Sequence, residues 1–472
     1  LESGSGGIAW SFDIVIALRT RRLTSTSEED RFSLGRNTNP IREGGLIMKR
    51  KDFFKGTAAI IGSLAMARNM KPAELGRMLS LTAGDDEEYF WKLVRDQFIL
   101  DPDWTFLNFG GLGSSPLPVL KCFDEWSRSE ERAPNAGHDE KEWMSVKEKL
   151  AAVLGKTLRK EDLGLIDCAT HGINMIVNGL PLKKGDEVIT STHEHVALHT
   201  ALLNRMQRDG IVIRIFEPDK VSGLTNVDRI ASLINPRTRL IFVSHVTCTT
   251  GQRFPDKEIA QLARSKGIWF ALDGAQAPIC VPLDIGEIGV DFYTCSTHKW
   301  LMGPKRTGFI YVRKEMLDVL RPVTVGAGSN KGYDIRKMEF TIHPTVQRFE
   351  FGTQNDALFY GLGKAIDFVT TIGIDRIWKH NHALAERFYN GLKEIPGAEI
   401  VSPEEEIYRT AMISFKMKTV DYTKVNEHLA KDKIRVRTVG EGGCNCIRVS
   451  FHICNHDGEV TKILDSLKKL AG

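Results

Sequence analysis

An α/β fold on a mostly parallel sheet is what this sequence predicts, and three patterns carry that expectation. From about residue 100, short apolar runs alternate with stretches of helical spacing. The runs are nearly continuous in apolar residues, as strands buried on both faces should be. After about residue 356 the pattern changes. A long helical stretch, Ala357 to about Leu392, leads into alternating strands such as Ile413–Met417 and a last helix, which read as a second, smaller α+β domain.

The elements follow in order. Leu163–Asp167 is a short apolar run that precedes a helical stretch opening at Cys168. Arg239–His245 is a strand candidate. Asp256 stands where it can cap a helix whose apolar positions Ile259, Leu262 and Ala263 fall at helical spacing, and Gly267 ends that helix. Ile268–Leu272 and Gly308–Val312 are further strands. The expected division is a helical or linker segment over 69–103, a large domain over 104–355 and a small C-terminal domain over 356–472.

Composition bounds the function. A chain of 472 residues, 42% hydrophobic and 26% charged, can bury a core without disulfide or metal staples. Its 64 basic and 60 acidic side chains nearly cancel to +4, which argues against a general nucleic-acid binder. No run approaches the ~20 apolar residues of a membrane span. The eight cysteines include no CxxC pair, and Cys444-Asn445-Cys446 is too tight for a zinc knuckle. Reduced, mostly buried thiols and no metal site are expected.

Residues 1–47 carry no legible fold and are expected to be disordered. From Met48 the order is a basic head (Lys49, Arg50, Lys51), an apolar stretch within Gly56–Ala67 and an Ala65-x-Ala67 end. That is the order of a secretory signal. Arg50-Lys51-Asp52-Phe53-Phe54-Lys55 resembles a twin-arginine signal with Lys as the second basic residue. Residues 48–68 are therefore expected to direct a folded protein to the periplasm. The alternatives are a basic amphipathic helix and a cytoplasmic protein.

Three short segments carry chemistry. Lys299, in Ser296-Thr297-His298-Lys299-Trp300, follows an apolar strand and precedes the Gly303-Pro304 turn. That places it at the lip of the sheet, where ligands of open α/β folds bind and where desolvation lowers a lysine pKa. Asp273 ends a hydrophobic strand, a costly place for a carboxylate unless it meets a cation or several donors. The helix opening Cys168-Ala169-Thr170-His171 offers backbone N–H groups to an anion. Each segment alone also admits an ordinary reading: one lysine among many, a turn-capping Asp, a plain helix cap. Arg448 adds a fourth residue. It alternates with Ile447 and Val449, so Arg448, Ser450 and His452 share one strand face, where a guanidinium can grip a carboxylate.

Taken together and in this order, these residues resemble the class V aminotransferase family of pyridoxal-phosphate (PLP) enzymes, over roughly residues 104–465. The resemblance opens at Phe106-Leu-Asn-Phe-Gly-Gly-Leu-Gly-Ser-Ser-Pro116. It continues through Gly185-Asp186-Glu187-Val188, Glu194-His195 and Ser244-His245-Val246-Thr247. It ends with Arg348-Phe-Glu-Phe-Gly352-Thr353-Gln-Asn355 and Arg448-Val-Ser450-Phe-His452. It implies a PLP-dependent transferase fold of type I, with a seven-stranded large-domain sheet. It also implies residue roles. Lys299 would bind the PLP aldehyde, Asp273 would pair with the pyridine nitrogen, Gln276 would bond the phenolic oxygen, and His195 would stack on the ring and share in catalysis. Ala169, Thr170, Ser296 and His298 would hold the phosphate. Gly352 and Thr353 would reach the neighbouring subunit's phosphate, so a homodimer follows. Arg448 and Asn108 would bind substrate.

One departure is Cys248, where many relatives carry Asn. Another is the stretch after Arg437-Thr438, which lacks the familiar cysteine context of desulfurases, although Cys444 could serve as a nucleophile. The short approach to Arg448 looks more like the isopenicillin N epimerase-like branch. The resemblance thus implies an enzyme acting at the α-carbon of an amino acid or small peptide, closest to an epimerase. A cysteine desulfurase or C–S lyase is the alternative. A cofactor-free binding protein on the same fold is a third reading, disfavoured by the Lys299–Asp273 pair.

Overall fold

The computed structural model describes residues 87–134 and 139–471. The signal expected at 48–68, the segment 1–47 and the first part of 69–103 lie outside the described residues. The described part of the last begins with the helix Glu87–Arg95, which buries Phe90 and Val94. The Arg376 guanidinium covers the Phe90 ring at 3.3 Å and fixes that helix to the body of the fold.

Strand β1 (Thr105–Phe106) belongs with the C-terminal strands. The next seven form the main sheet: β2 (Leu163–Ile166), β3 (Glu187–Ser191), β4 (Val212–Phe216), β5 (Thr238–Ser244), β6 (Trp269–Asp273), β7 (Phe292–Ser296) and β8 (Gly308–Val312). Their order is β2-β8-β7-β6-β5-β3-β4. Only β8 runs against the others, pairing antiparallel with both β2 and β7. Consecutive residues of β5 show why the apolar runs are continuous. Ile241 and Val243 enter the core on one face, with Phe270 and Leu272 of β6. Leu240 and Phe242 enter the core on the other, with Ala271. Period-2 alternation on a sheet covered on both sides thus leaves Leu240–Val243 apolar throughout.

After the exposed hairpin β9 (Asn330–Asp334) and β10 (Glu339–Ile342), the C-terminal sheet comprises β11 (Ala398–Ile400), β12 (Met412–Met417), β14 (Arg437–Val439) and β15 (Cys446–Ser450), in the order β11-β12-β15-β14 and antiparallel throughout. Its core takes residues from the helices Ile374–Lys393, Tyr422–Lys431 and Asp457–Ala471.

Two expectations need correction. The stretch 357–392 is two helices, Asp356–Ile372 and Ile374–Lys393, bent by 78°. Gly373 between them has φ +97°, outside the range a continuing helix allows. Asp256 is the first helical residue rather than the cap. Its carboxylate turns inward to His245 Nε2 at 2.7 Å and Arg253 at 3.0 Å. The opening segment is hydrogen-bonded on one side to the C-terminal strands and on the other to the turn after β7. There β1 pairs with β13 (Ile434–Arg435), and Asn108 bridges to Ser450. All eight cysteines are free thiols, six of them buried. Among the described residues, no single helix is long and apolar enough to cross a membrane.

Candidate active site

The parallel strands β2, β3, β5, β6 and β7 present their C-terminal ends along one edge of the sheet. Ala169, His195, Cys248, Asp273 and Lys299 all lie at or just past those ends. This is where the topology of an open α/β sheet gathers ligand-binding side chains.

Lys299 sits in the turn between β7 and β8. Backbone bonds from Met302 N to Lys299 O (2.9 Å) and Gly303 N to Thr297 O (3.0 Å) fix that turn. The glycine-rich opening segment lies over it. Gly113 N donates to the His298 carbonyl at 3.1 Å, and a Cβ on Gly113 would fall 2.7 Å from the Lys299 carbonyl. Glycine at 113 is therefore a packing requirement of the lysine turn. Burial lowers the Lys299 pKa, and Arg448 adds to the effect, while Asp273 opposes both. A lysine so placed keeps more of its amine neutral than a free one does.

Asp273, at the end of β6, is 4% exposed. Its carboxylate accepts one bond from Ala275 N at 2.9 Å. Burial raises its pKa, with Lys299 and His195 pulling the other way. His195 caps the helix Val196–Asp209. Its Nδ1 accepts from Ala197 N at 3.2 Å, which puts the proton of the neutral ring on Nε2. Burial, then the Lys299 charge, lowers its pKa, so the ring is neutral near pH 7.

At the helix start, Ala169 N donates to Ser296 Oγ at 2.8 Å, Thr170 is exposed, and His298 Nδ1 is buried without a hydrogen-bond partner among the described residues. Burial pushes His298 down to about 4. The Gln276 carboxamide is already engaged, donating to Gly110 O and accepting from Trp300 Nε1, each at 2.8 Å. Gly352 and Thr353 lie on the loop after Phe349. Thr353 lines a surface cleft with Asp167, His171 and Arg306.

The strand face of Arg448 is fully buried. Its Nη1 donates to the Cys248 carbonyl at 2.6 Å and its Nη2 to Asn108 Oδ1 at 3.0 Å, while Nε has no partner among the described residues. Burial, then the Arg437 charge, lowers its pKa to about 10. Arg437 also donates to the Cys248 carbonyl, at 3.2 Å, and pairs with Glu441. Sequence reasoning named two residues here without giving them a role. Arg437 lies on β14, opposite Arg448 in register, and makes a second cation beside the first. Glu194, next to His195, is fully buried and accepts from Ser191 Oγ, Ser244 N and Ser244 Oγ at 2.5–2.7 Å. Burial still pushes its carboxyl up to about 7. An acidic residue between two histidines was the available signal for it.

These residues suit PLP in kind. A buried carboxylate with a single backbone donor wants a cation, which a pyridinium nitrogen supplies. An unpartnered His298 nitrogen beside a serine-bound helix start suits a phosphate. A partly neutral buried amine suits an aldehyde.

Fold and site together define a class: an α/β enzyme scaffold of PLP-dependent fold type I. Residues 130–463 match the family described as aminotransferase class-V, and the chain belongs to that family. Its cofactor is PLP. The chain is 27% identical, over 401 residues, to a probable cysteine desulfurase of Methanothermobacter thermautotrophicus, covering 80% of this chain and 98% of that one. It is 29% identical, over 406 residues, to the isopenicillin N epimerase of Amycolatopsis lactamdurans, covering 81% and 98%. Among solved structures, the cysteine desulfurase CsdA of Escherichia coli superposes with a TM-score of 0.72 at 22% identity, covering 80% of this chain and 98% of that one. C-DES with glycine covalently linked to its PLP cofactor has the same TM-score, at 22% identity and with 79% and 98% coverage.

Proposed function

We propose that this protein acts at the α-carbon of an amino acid or small peptide and moves the Cα proton, in the manner of an epimerase. The observation that carries the substrate class is Arg448, a buried guanidinium whose Nε has no partner among the described residues, beside Asn108 and Arg437. Arg448 keeps one N–H for an anionic group, and a substrate carboxylate has the matching charge. Arg448→Ala then raises KM on the order of 10²-fold through loss of a charged hydrogen bond. Steady-state kinetics check this, and an unchanged KM removes Arg448 from the substrate site.

When bound, PLP supplies an electron sink that acidifies the Cα–H of an attached amino acid. Lys299 Nζ would hold the cofactor and then move the Cα proton, a task its lowered pKa favours. Asp273 would stay ionised against the ring nitrogen. Ser296, His298, Ala169 and Thr170 would hold the phosphate, with Gly352 and Thr353 of a second copy. Neutral His195 would lie against the ring without adding a positive charge beside Lys299. Gln276, with one N–H still available, would donate to the phenolic oxygen.

Asp273→Asn separates the roles of charge and shape. Loss of the ionised partner lowers kcat on the order of 10²-fold or more, while cofactor retention after dialysis falls much less. Equal losses in both would assign Asp273 to binding alone. Deuterium entering Cα from heavy water without net product tests the epimerase reading. A second reading, cysteine desulfurase, is favoured by Cys444, whose Sγ lies 3.5 Å from His193 Nε2. Sulfide release from cysteine would select it.

A further inference from the structure

The chain brings two thiols and an imidazole together at a seam that the epimerase reading does not use. Cys444 enters on the loop between β14 and β15, and its Sγ meets His193 Nε2 at 3.5 Å. The same Nε2 lies 3.2 Å from Glu217 Oε1. His193 follows β3 of the large sheet, so the contact joins the two sheets across 251 positions of sequence. The loop is shaped for this approach. Gly442 and Gly443 have φ +59° and +68°, and a Cβ on Gly442 would fall 2.7 Å from the Thr192 carbonyl and 3.0 Å from His193 Cδ2. Asn445, at φ +43°, turns the chain so that Cys446 packs with Cys444 in one small cluster with Val401 and Val439. The Cys446 S–H and then the His193 N–H, each bonded to its sulfur, pull the Cys444 thiol down to about 5 against its burial. Cys446 itself is held as a thiol by that bond and by burial.

We propose that Cys444 and Cys446 form a peroxide-reactive dithiol, with Cys444 as the attacking sulfur, His193 as its positioning partner and Cys446 as the resolving thiol. The Cys444 thiolate attacks one peroxide oxygen. The O–O bond breaks, hydroxide leaves and takes a proton to become water, and the sulfur, oxidised by two electrons, is left as Cys444–SOH. The Cys446 sulfur then displaces that hydroxyl as a second water, using its own S–H proton, and the S–S bond closes. Peroxide is the only oxidant consumed. This inference does not depend on the PLP reaction.

Accessibility alone predicts a different order. Cys122 and Cys168 are the two half-buried cysteines, whereas Cys444 keeps only 7% of its surface open. The test is to treat the reduced, PLP-loaded full-length chain with a few equivalents of hydrogen peroxide, block it with iodoacetamide and map the peptides by mass. The expected result is a peptide holding Cys444 and Cys446 that has lost two hydrogens and takes no alkyl group, while the other cysteines are alkylated. Cys446→Ser should halt the reaction at Cys444–SOH, captured by dimedone, and His193→Gln should remove the preference for Cys444. Oxidation of Cys122 or Cys168 ahead of Cys444 would overturn the proposal. So would full alkylation of both Cys444 and Cys446 after peroxide, or Cys446→Ser protein with no dimedone adduct at Cys444.

Discussion

Lys299→Ala removes the visible absorption that marks PLP attached to lysine and lowers turnover on the order of 10³-fold or more. Two functions are lost at one atom. Among the described residues, Lys299 Nζ is the fully buried amine whose charge acts on Asp273, and the neighbouring cations Arg437 and Arg448 are guanidinium groups. In the proposed reaction it would also be the base that moves the Cα proton, a contribution of about 10²–10⁴ by itself. The surrounding turn should survive the change, because it is held through backbone atoms: Lys299 O to Met302 N, Thr297 O to Gly303 N, and His298 O to Gly113 N. The variant should therefore fold and still take up PLP without a covalent link. Spectra with and without added PLP, together with turnover, check the prediction. Retention of both the absorption and turnover would overturn the site.

How much of this was legible in the sequence depends on the distance over which each feature is specified. Gly308–Val312 is a strand in both readings, because burial on two faces writes five apolar or small residues in a row. Lys299 and Asp273 were legible because Asp273 ends β6, Lys299 comes three residues after β7, and β6 and β7 are neighbours. Arg448 was legible as a residue but not as an environment. Period 2 put it on a polar face, yet that face is closed by the Cys248 carbonyl and by Asn108, 200 and 340 positions away. The same limit hid the Cys444–His193 contact and the doubled arginines, since nothing local to either segment specifies the other. The broken helix at 373 lay within reach, but one glycine in a helical run reads as a tolerated cost until its φ is known.

Glu350→Ala should cost about 3–5 kcal/mol of stability, the range for removing one partner of a buried ion pair. Glu350 lies just before the Gly352–Thr353 loop, and its side chain is 5% exposed, against 2% for Lys147. One carboxylate oxygen accepts from Lys147 Nζ at 3.0 Å and from Leu165 N of β2 at 2.8 Å; the other accepts from Trp143 Nε1 at 3.0 Å. Alanine leaves the Lys147 ammonium and the Leu165 N–H without the carboxylate oxygen they share. The charge on Lys147 should dominate, because an unpaired buried cation costs more than an unpaired neutral donor. Lys147→Met with Glu350→Gln removes both charges and keeps an acceptor for one of the two neutral donors, so it should recover much of the loss. Urea unfolding of the two variants beside the parent measures the difference. Equal losses would mean that the neutral donors, not the buried charge, govern this corner of the fold.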